Sequence, residues 1–122
     1  MEIADISQIP IFNQDLEGDK TPDSVLTLKK QISESNAVLF CCPEYNYSIP
    51  GVLKNAIDWA SRGVNGNAFA GKAAGVMSAG GGNGGSRAQY HLRQIGVFLD
   101  LHFLNKPEVT INWFAPPQVS FS

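Results

Sequence analysis

No apolar run in this chain approaches the roughly 20 residues that a membrane-spanning helix requires, so nothing in it reads as a transmembrane segment. The first ten residues, MEIADISQIP, lack a basic stretch followed by an apolar core, and no secretory signal is expected. Lysine and arginine form no cluster and the net charge is −2, which leaves no electrostatic footprint for nucleic acid. Cysteine is scarce, with only Cys41 and Cys42, and these are neighbours. Adjacent residues of a strand point to opposite faces, so a bridge between them would strain the backbone. Both read as small core residues in a reducing compartment, and the expected setting is cytoplasmic. His91 and His102 are too isolated for a metal site, which wants clustered ligands. What remains is 122 residues, 43% of them hydrophobic: one small soluble domain, 1–122, with a modest core.

The most informative stretch is 37–62, AVLFCCPEYNYSIPGVLKNAIDWASR. Ala37 to Cys42 is a short apolar run, expected as a strand buried on both faces. Pro43 ends it, because proline has no N–H for a sheet ladder. Pro50 sits where a first helical residue tolerates proline, and Leu53, Ala56, Ile57 and Ala60 then form one helical stripe. The loop 43–48 thus lies at the carboxyl end of a buried strand, the edge where open α/β sheets bind ligands.

Elsewhere, Glu2 to Ile6 alternates as a short strand, and 7–20 reads as a long loop. Thr21-Pro22 supplies an N-cap and first turn for a helix to about Ser35, with Val25, Leu28 and Ile32 inward. Lys72 to Ser78 is a second apolar strand, and Ala79 to Gly85 (AGGGNGG) a glycine loop. Ser86 caps the next helix, whose stripe is Leu92, Ile95 and Leu99. Residues 100–105 and 109–113 are strand-like, split by Lys106-Pro107, and Ala115-Pro116-Pro117 ends the regular structure. The order β-α-β-α-β-α-β predicts an α/β domain with a parallel sheet and helices on both faces.

Loops 43–48 and 79–85 follow consecutive strands, so in a parallel sheet both open on the same rim. One offers Tyr45, Tyr47 and backbone N–H groups; the other is nearly free of side chains and lets a flat ligand approach its backbone. It also precedes a helix start, where partial positive charge collects. Aromatic faces opposite backbone donors suit a planar ring with a polar edge, such as a flavin. The glycine loop formally fits G-x-G-x-x-G, with Asp100 about 20 residues on, and so a dinucleotide-binding reading stands beside the flavin one. Against it, so glycine-dense a loop matches trivially and lies outside the first βα unit. Glu44 by spacing alone is a solvated loop acid, Trp59 a core or subunit-contact residue, and Arg87, Arg93 and Lys54 solvated helix charges. Arg87 and Tyr90, one turn apart, could instead meet another subunit.

Pro43-Glu44-Tyr45-Asn46-Tyr47-Ser48 followed by Leu53-Lys54-Asn55-Ala56-Ile57-Asp58-Trp59 closely resembles the NADPH-dependent FMN reductase family, in its plant and bacterial quinone-reductase branch. Gly84-Gly85-Ser86-Arg87, Gln89-Tyr90-His91-Leu92-Arg93-Gln94 and Asn105-Lys106-Pro107-Glu108 resemble the same branch, so the likeness covers nearly the whole chain. It implies a flavodoxin-like, three-layer fold with FMN at the carboxyl rim of the sheet. Positions matching Pro43, Glu44, Tyr45 and Asn46 would run along the flavin ring, and those matching Ser78, Gly80 and Gly81 would touch its pyrimidine side. NAD(P)H would pass a hydride through flavin N5 to a quinone or free flavin, with no side chain as obligatory acid or base. A homodimer or homotetramer is implied.

Family members begin with a strand and a Gly-Ser-x-Arg-x-x-Ser loop that cradles the FMN phosphate. Here Met1 starts at what matches their second strand, and their last helix is missing too, so the fold is expected to be truncated. The phosphate would lose its nest of N–H donors. The first strand would pair directly with 37–42 or remain loose, and one sheet face would lose helix cover and expose an apolar patch. The alternative function is accordingly a non-catalytic relative that keeps the sheet and oligomer interface but binds FMN poorly or not at all.

Overall fold

The computed structural model describes residues 1–114 and the backbone of 119–121. Helix α1 (Asp23–Glu34) leads into strand β1 (Ala37–Cys41), then α2 (Gly51–Ala60), β2 (Ala73–Gly80) and α3 (Ser86–Leu99). Short β3 (His102–Phe103) and β4 (Val109–Asn112) follow, with β5 (Val119–Phe121) last. Both β1 and β2 are parallel, as are β2 and β4, through helical crossovers. Strands β3 and β4 share the same edge of β2, against its start and its end respectively, as expected of two strand pieces split by Lys106-Pro107. This is the flavodoxin-like, parallel α/β arrangement expected.

The inward stripes Leu28 and Ile32, Ala56, Ile57 and Ala60, and Leu92 and Leu99 meet in one cluster with Phe40, Cys42, Ala74 and Val76. The alternate strand residues are different. Leu39, Cys41 and Met77 are exposed, so β1 is covered on one face only and not on both as its apolar run suggested. That is the apolar surface expected where helix cover falls short. It also corrects the assignment of Cys41 to the core: Cys42 alone is buried, and the two thiols do point to opposite faces.

Several local expectations change. Glu2–Ile6 forms no strand and has no ladder partner among the described residues. The segment is instead pinned further along against α2: Pro10 O accepts from Asn55 Nδ2 and Trp59 Nε1, and Asn55 Oδ1 accepts from Phe12 N–H at 2.8 Å. Trp59 is thereby a core residue, edge-on to Phe12, with its indole N–H satisfied. The loop 7–20 contains two 3-10 turns, Gln14–Leu16 and Gly18–Lys20. Thr21 does not cap α1; its hydroxyl donates to Gly18 O, and Pro22 occupies the cap position. Likewise Ser86 is the first residue of α3 and Gly85 its cap, while Pro50 precedes α2. Finally, residues 115–117, where regular structure was expected to end, lie outside the described residues, but β5 follows them antiparallel to β4.

Candidate functional site

Turns 43–48 and 79–85 meet at the carboxyl rim. Tyr45 and Ser48 exchange backbone hydrogen bonds at 3.0 Å in each direction across a two-residue turn. Asn46 and Tyr47 there take φ of 51° and 64°, the pair of positive values that a type I′ turn demands. Asparagine adopts this readily; tyrosine does not, and needs support from outside the turn. Arg87 provides it, with its guanidinium carbon 4.1 Å from the centre of the Tyr47 ring. A second tie joins Ser48 Oγ to His91 Nδ1 at 2.9 Å.

Glycine dominates the opposite turn for reasons of space. At Gly85, φ is 84°, and a Cβ would lie 2.8 Å from both Cβ and Oγ of Ser78. At Gly84, φ is 59°, and a Cβ would meet Thr110 and Ile111 at 2.9 Å. Beneath the turn runs a buried polar chain. Gln89 Nε2 donates to Ser78 Oγ and to Val109 O, each at 2.7 Å, and Ser78 Oγ donates to Gly84 O at 2.6 Å. Since an amide nitrogen can only donate, the serine must accept from it, which leaves the serine proton for Gly84.

The cavity between the turns is about 310 Å³ and is lined by Glu44, Tyr47, Gly81, Gly82, Asn83, Gly85 and Arg87. Of the residues expected to hold a flavin, Glu44 and Gly81 line it. Pro43 and Asn46 are exposed at the turn beside it, Gly80 is half-buried at the end of β2, and Ser78 is buried beneath the loop. Tyr45, expected along the flavin ring, is outside the lining, whereas Tyr47 is part of it. Gly82, Asn83, Gly85 and Arg87 complete the wall. A larger groove, about 940 Å³, runs between segment 3–11 and the start of α2.

Three expectations about charge change here, those for Glu44, Arg87 and Arg93. Glu44 is no solvated acid: its side chain is 13% exposed, and its carboxylate accepts from Arg87 N–H at 3.0 Å, Ala88 N–H at 3.4 Å and Arg87 Nη1 at 3.3 Å. It therefore closes the N-terminus of α3, whose positive end does not open onto the cavity unopposed. Arg93 is likewise not merely solvated; it bonds Asn105 Oδ1 and Leu104 O and lies over Phe103. Lys54 does pair on the surface with Asp58, one turn on. The Glu44 pairing has no local signal, because its partners lie 43 and 44 residues away.

A flavin ring fits this lining in two respects: Gly81 and Gly82 present peptide groups without Cβ atoms, and Tyr47 adds an aromatic ring to the same cavity. Gly81 has one near neighbour, the Phe114 ring, 3.0 Å from where a Cβ would be.

Comparisons with known proteins give the family. The family model for NADPH-dependent FMN reductase matches residues 1–115. An NAD(P)H:quinone oxidoreductase of Solanum tuberosum is 59% identical over 118 residues, 96% of this chain and 60% of the relative. An NADPH:quinone oxidoreductase of Arabidopsis thaliana is 56% identical, over 97% of this chain and 60% of that protein. Among solved structures, FerB, a flavoenzyme NAD(P)H:(acceptor) oxidoreductase from Paracoccus denitrificans, superposes with a TM-score of 0.83 at 40% identity, over 93% of this chain and 63% of its own. The chain thus spans about 60% of the length of the curated relatives it matches. By its match along nearly its full length, the chain belongs to the NADPH-dependent FMN reductase family, in the quinone-reductase branch.

Proposed function

We propose that this chain acts as an FMN-dependent NAD(P)H oxidoreductase with a quinone or free flavin as acceptor. The observation that carries the reading is the cavity between the two rim turns, lined by Tyr47 together with Gly81 and Gly82. At about 310 Å³ it lies at the lower end of ligand pockets and suits the ring system rather than a whole cofactor. When bound, FMN would supply a carrier that takes a hydride from NAD(P)H at N5 and delivers it to the acceptor. The chain's own part is placement. Pro43, Glu44, Tyr45 and Asn46 supply the turn along one side of the ring, with Tyr47 as its aromatic wall. Gly81 and Gly82 would let the ring approach bare peptide groups, Gly80 leads into them from the end of β2, and Ser78 fixes their loop from below. No side chain is assigned as acid or base.

Association into a homodimer or homotetramer is part of the proposal, supported by the exposed Leu39 and Met77 on β1 and β2. A cytoplasmic setting is in keeping with two free thiols. No helix among the described residues is long and apolar enough to cross a membrane. The test is direct. After incubation with FMN and desalting, the protein should keep the flavin absorbance bands and oxidise NADPH with a benzoquinone. A colourless, inactive protein would refute the reading.

A further inference from the structure

Glu44 holds an unusual position for a residue of a ligand-facing turn. Its carboxylate serves three donors, all on α3: the N–H groups of Arg87 and Ala88, and the Arg87 guanidinium. The cap residue of α3 is Gly85, which has no side chain to do this. Both positive groups beside the cavity, the helix terminus and Arg87, are thus matched by one negative group. Arg87 in turn stacks on Tyr47, so the same carboxylate holds the aromatic wall indirectly.

We propose that Glu44 is a positioning residue and the counter-charge of the site, fastening turn 43–48 to α3 and cancelling the positive potential that would otherwise reach a ring lodged against Gly81 and Gly82. The proposal rests on the flavin reading above. A reduced flavin is more negative than an oxidised one, so an unmatched positive wall would favour the reduced form. Glu44 therefore sets the flavin potential lower than the site would without it. Glu44→Gln keeps the shape and one acceptor but removes the charge; Arg87→Met removes the opposite charge and leaves the carboxylate. The two variants should move the potential in opposite directions, up for E44Q and down for R87M. A tenfold change in the relative affinity for the two flavin forms corresponds to about 30 mV for a two-electron couple. A role in stability alone would not produce shifts of opposite sign.

Two readouts test this. In the flavin-free protein, E44A should speed amide exchange at Arg87 and Ala88 at least tenfold while leaving Leu92 unchanged. In the flavin-loaded protein, dye equilibration should give potentials ordered E44Q above wild type above R87M. Unchanged exchange at Arg87 and Ala88, or equal potentials in a protein that binds flavin, would overturn this proposal alone. A protein that takes up no flavin would overturn the functional reading and this inference with it.

Discussion

Replacing Gln89 by leucine probes the polar chain that shapes the glycine turn. The side chain is 2% exposed, and its amide nitrogen spends both protons, one on Ser78 Oγ and one on Val109 O. Leucine fills nearly the same volume, so the change strips two donors and opens little space. A buried acceptor left without its partner costs roughly 1–3 kcal/mol, and Val109 O is only partly buried and can recruit water. The expected loss is about 2–3 kcal/mol, a large share of the 5–15 kcal/mol typical of a domain. Ser78→Ala strips Gly84 O of its donor and leaves one Gln89 proton unused, for about 1–2 kcal/mol. Because the two side chains share a bond, the double variant should cost less than the sum by at least about 0.5 kcal/mol. Urea titrations of the four proteins measure this, provided the slopes agree. A loss below about 0.5 kcal/mol for Q89L, or strict additivity, would refute the chain of donors described here.

Lys29 is 5% exposed, and its ammonium donates to the carbonyls of Ala60, Arg62 and Gly66, gathering the end of α2 and the turn after it. Lys29→Met should cost about 2–4 kcal/mol by urea midpoint, and a neutral outcome would show that the ammonium offsets no more than its own desolvation. Burial, with Cys41 adding to it, pushes the Cys42 thiol above its ordinary value of 9.0. The folded thiol then stays protonated where the unfolded one ionises, so its contribution is complete below pH 9.0 and is lost as pH rises. The fall in urea midpoint between pH 8 and pH 10 should shrink in Cys42→Ala, and in the native protein iodoacetamide should label exposed Cys41 ahead of Cys42.

The parts of the fold legible in the sequence are those whose signal is local. The apolar run 37–41, the α2 stripe and the glycine turn each state their conformation within a dozen residues, and their place on one rim follows from parallel topology. Glu2–Ile6 shows the limit. Alternation marks a strand only where a ladder forms, and the outer edge of β1 has no strand partner among the described residues. Strand β5 has no signal in the sequence, because three residues after a proline pair carry no periodicity. The site's electrostatics were hidden for another reason. Glu44 and Arg87 are 43 residues apart, and only the folded rim makes the acid a helix cap. Lys29 and Gln89 did leave a trace: each sits on the buried stripe of its helix, Lys29 with Val25, Leu28 and Ile32, Gln89 with Leu92 and Leu99. A polar residue in an apolar stripe announces a buried partner, without saying which.

That turns 43–48 and 79–85 together hold the flavin is tested most directly by amide NMR of the uniformly 15N-labelled chain titrated with FMN. Shift changes should concentrate at Glu44 to Tyr47 and at Gly81 to Arg87, with segment 3–11 and Val52 unmoved. Changes gathered instead along the groove between that segment and α2, with the two turns silent, would contradict the account.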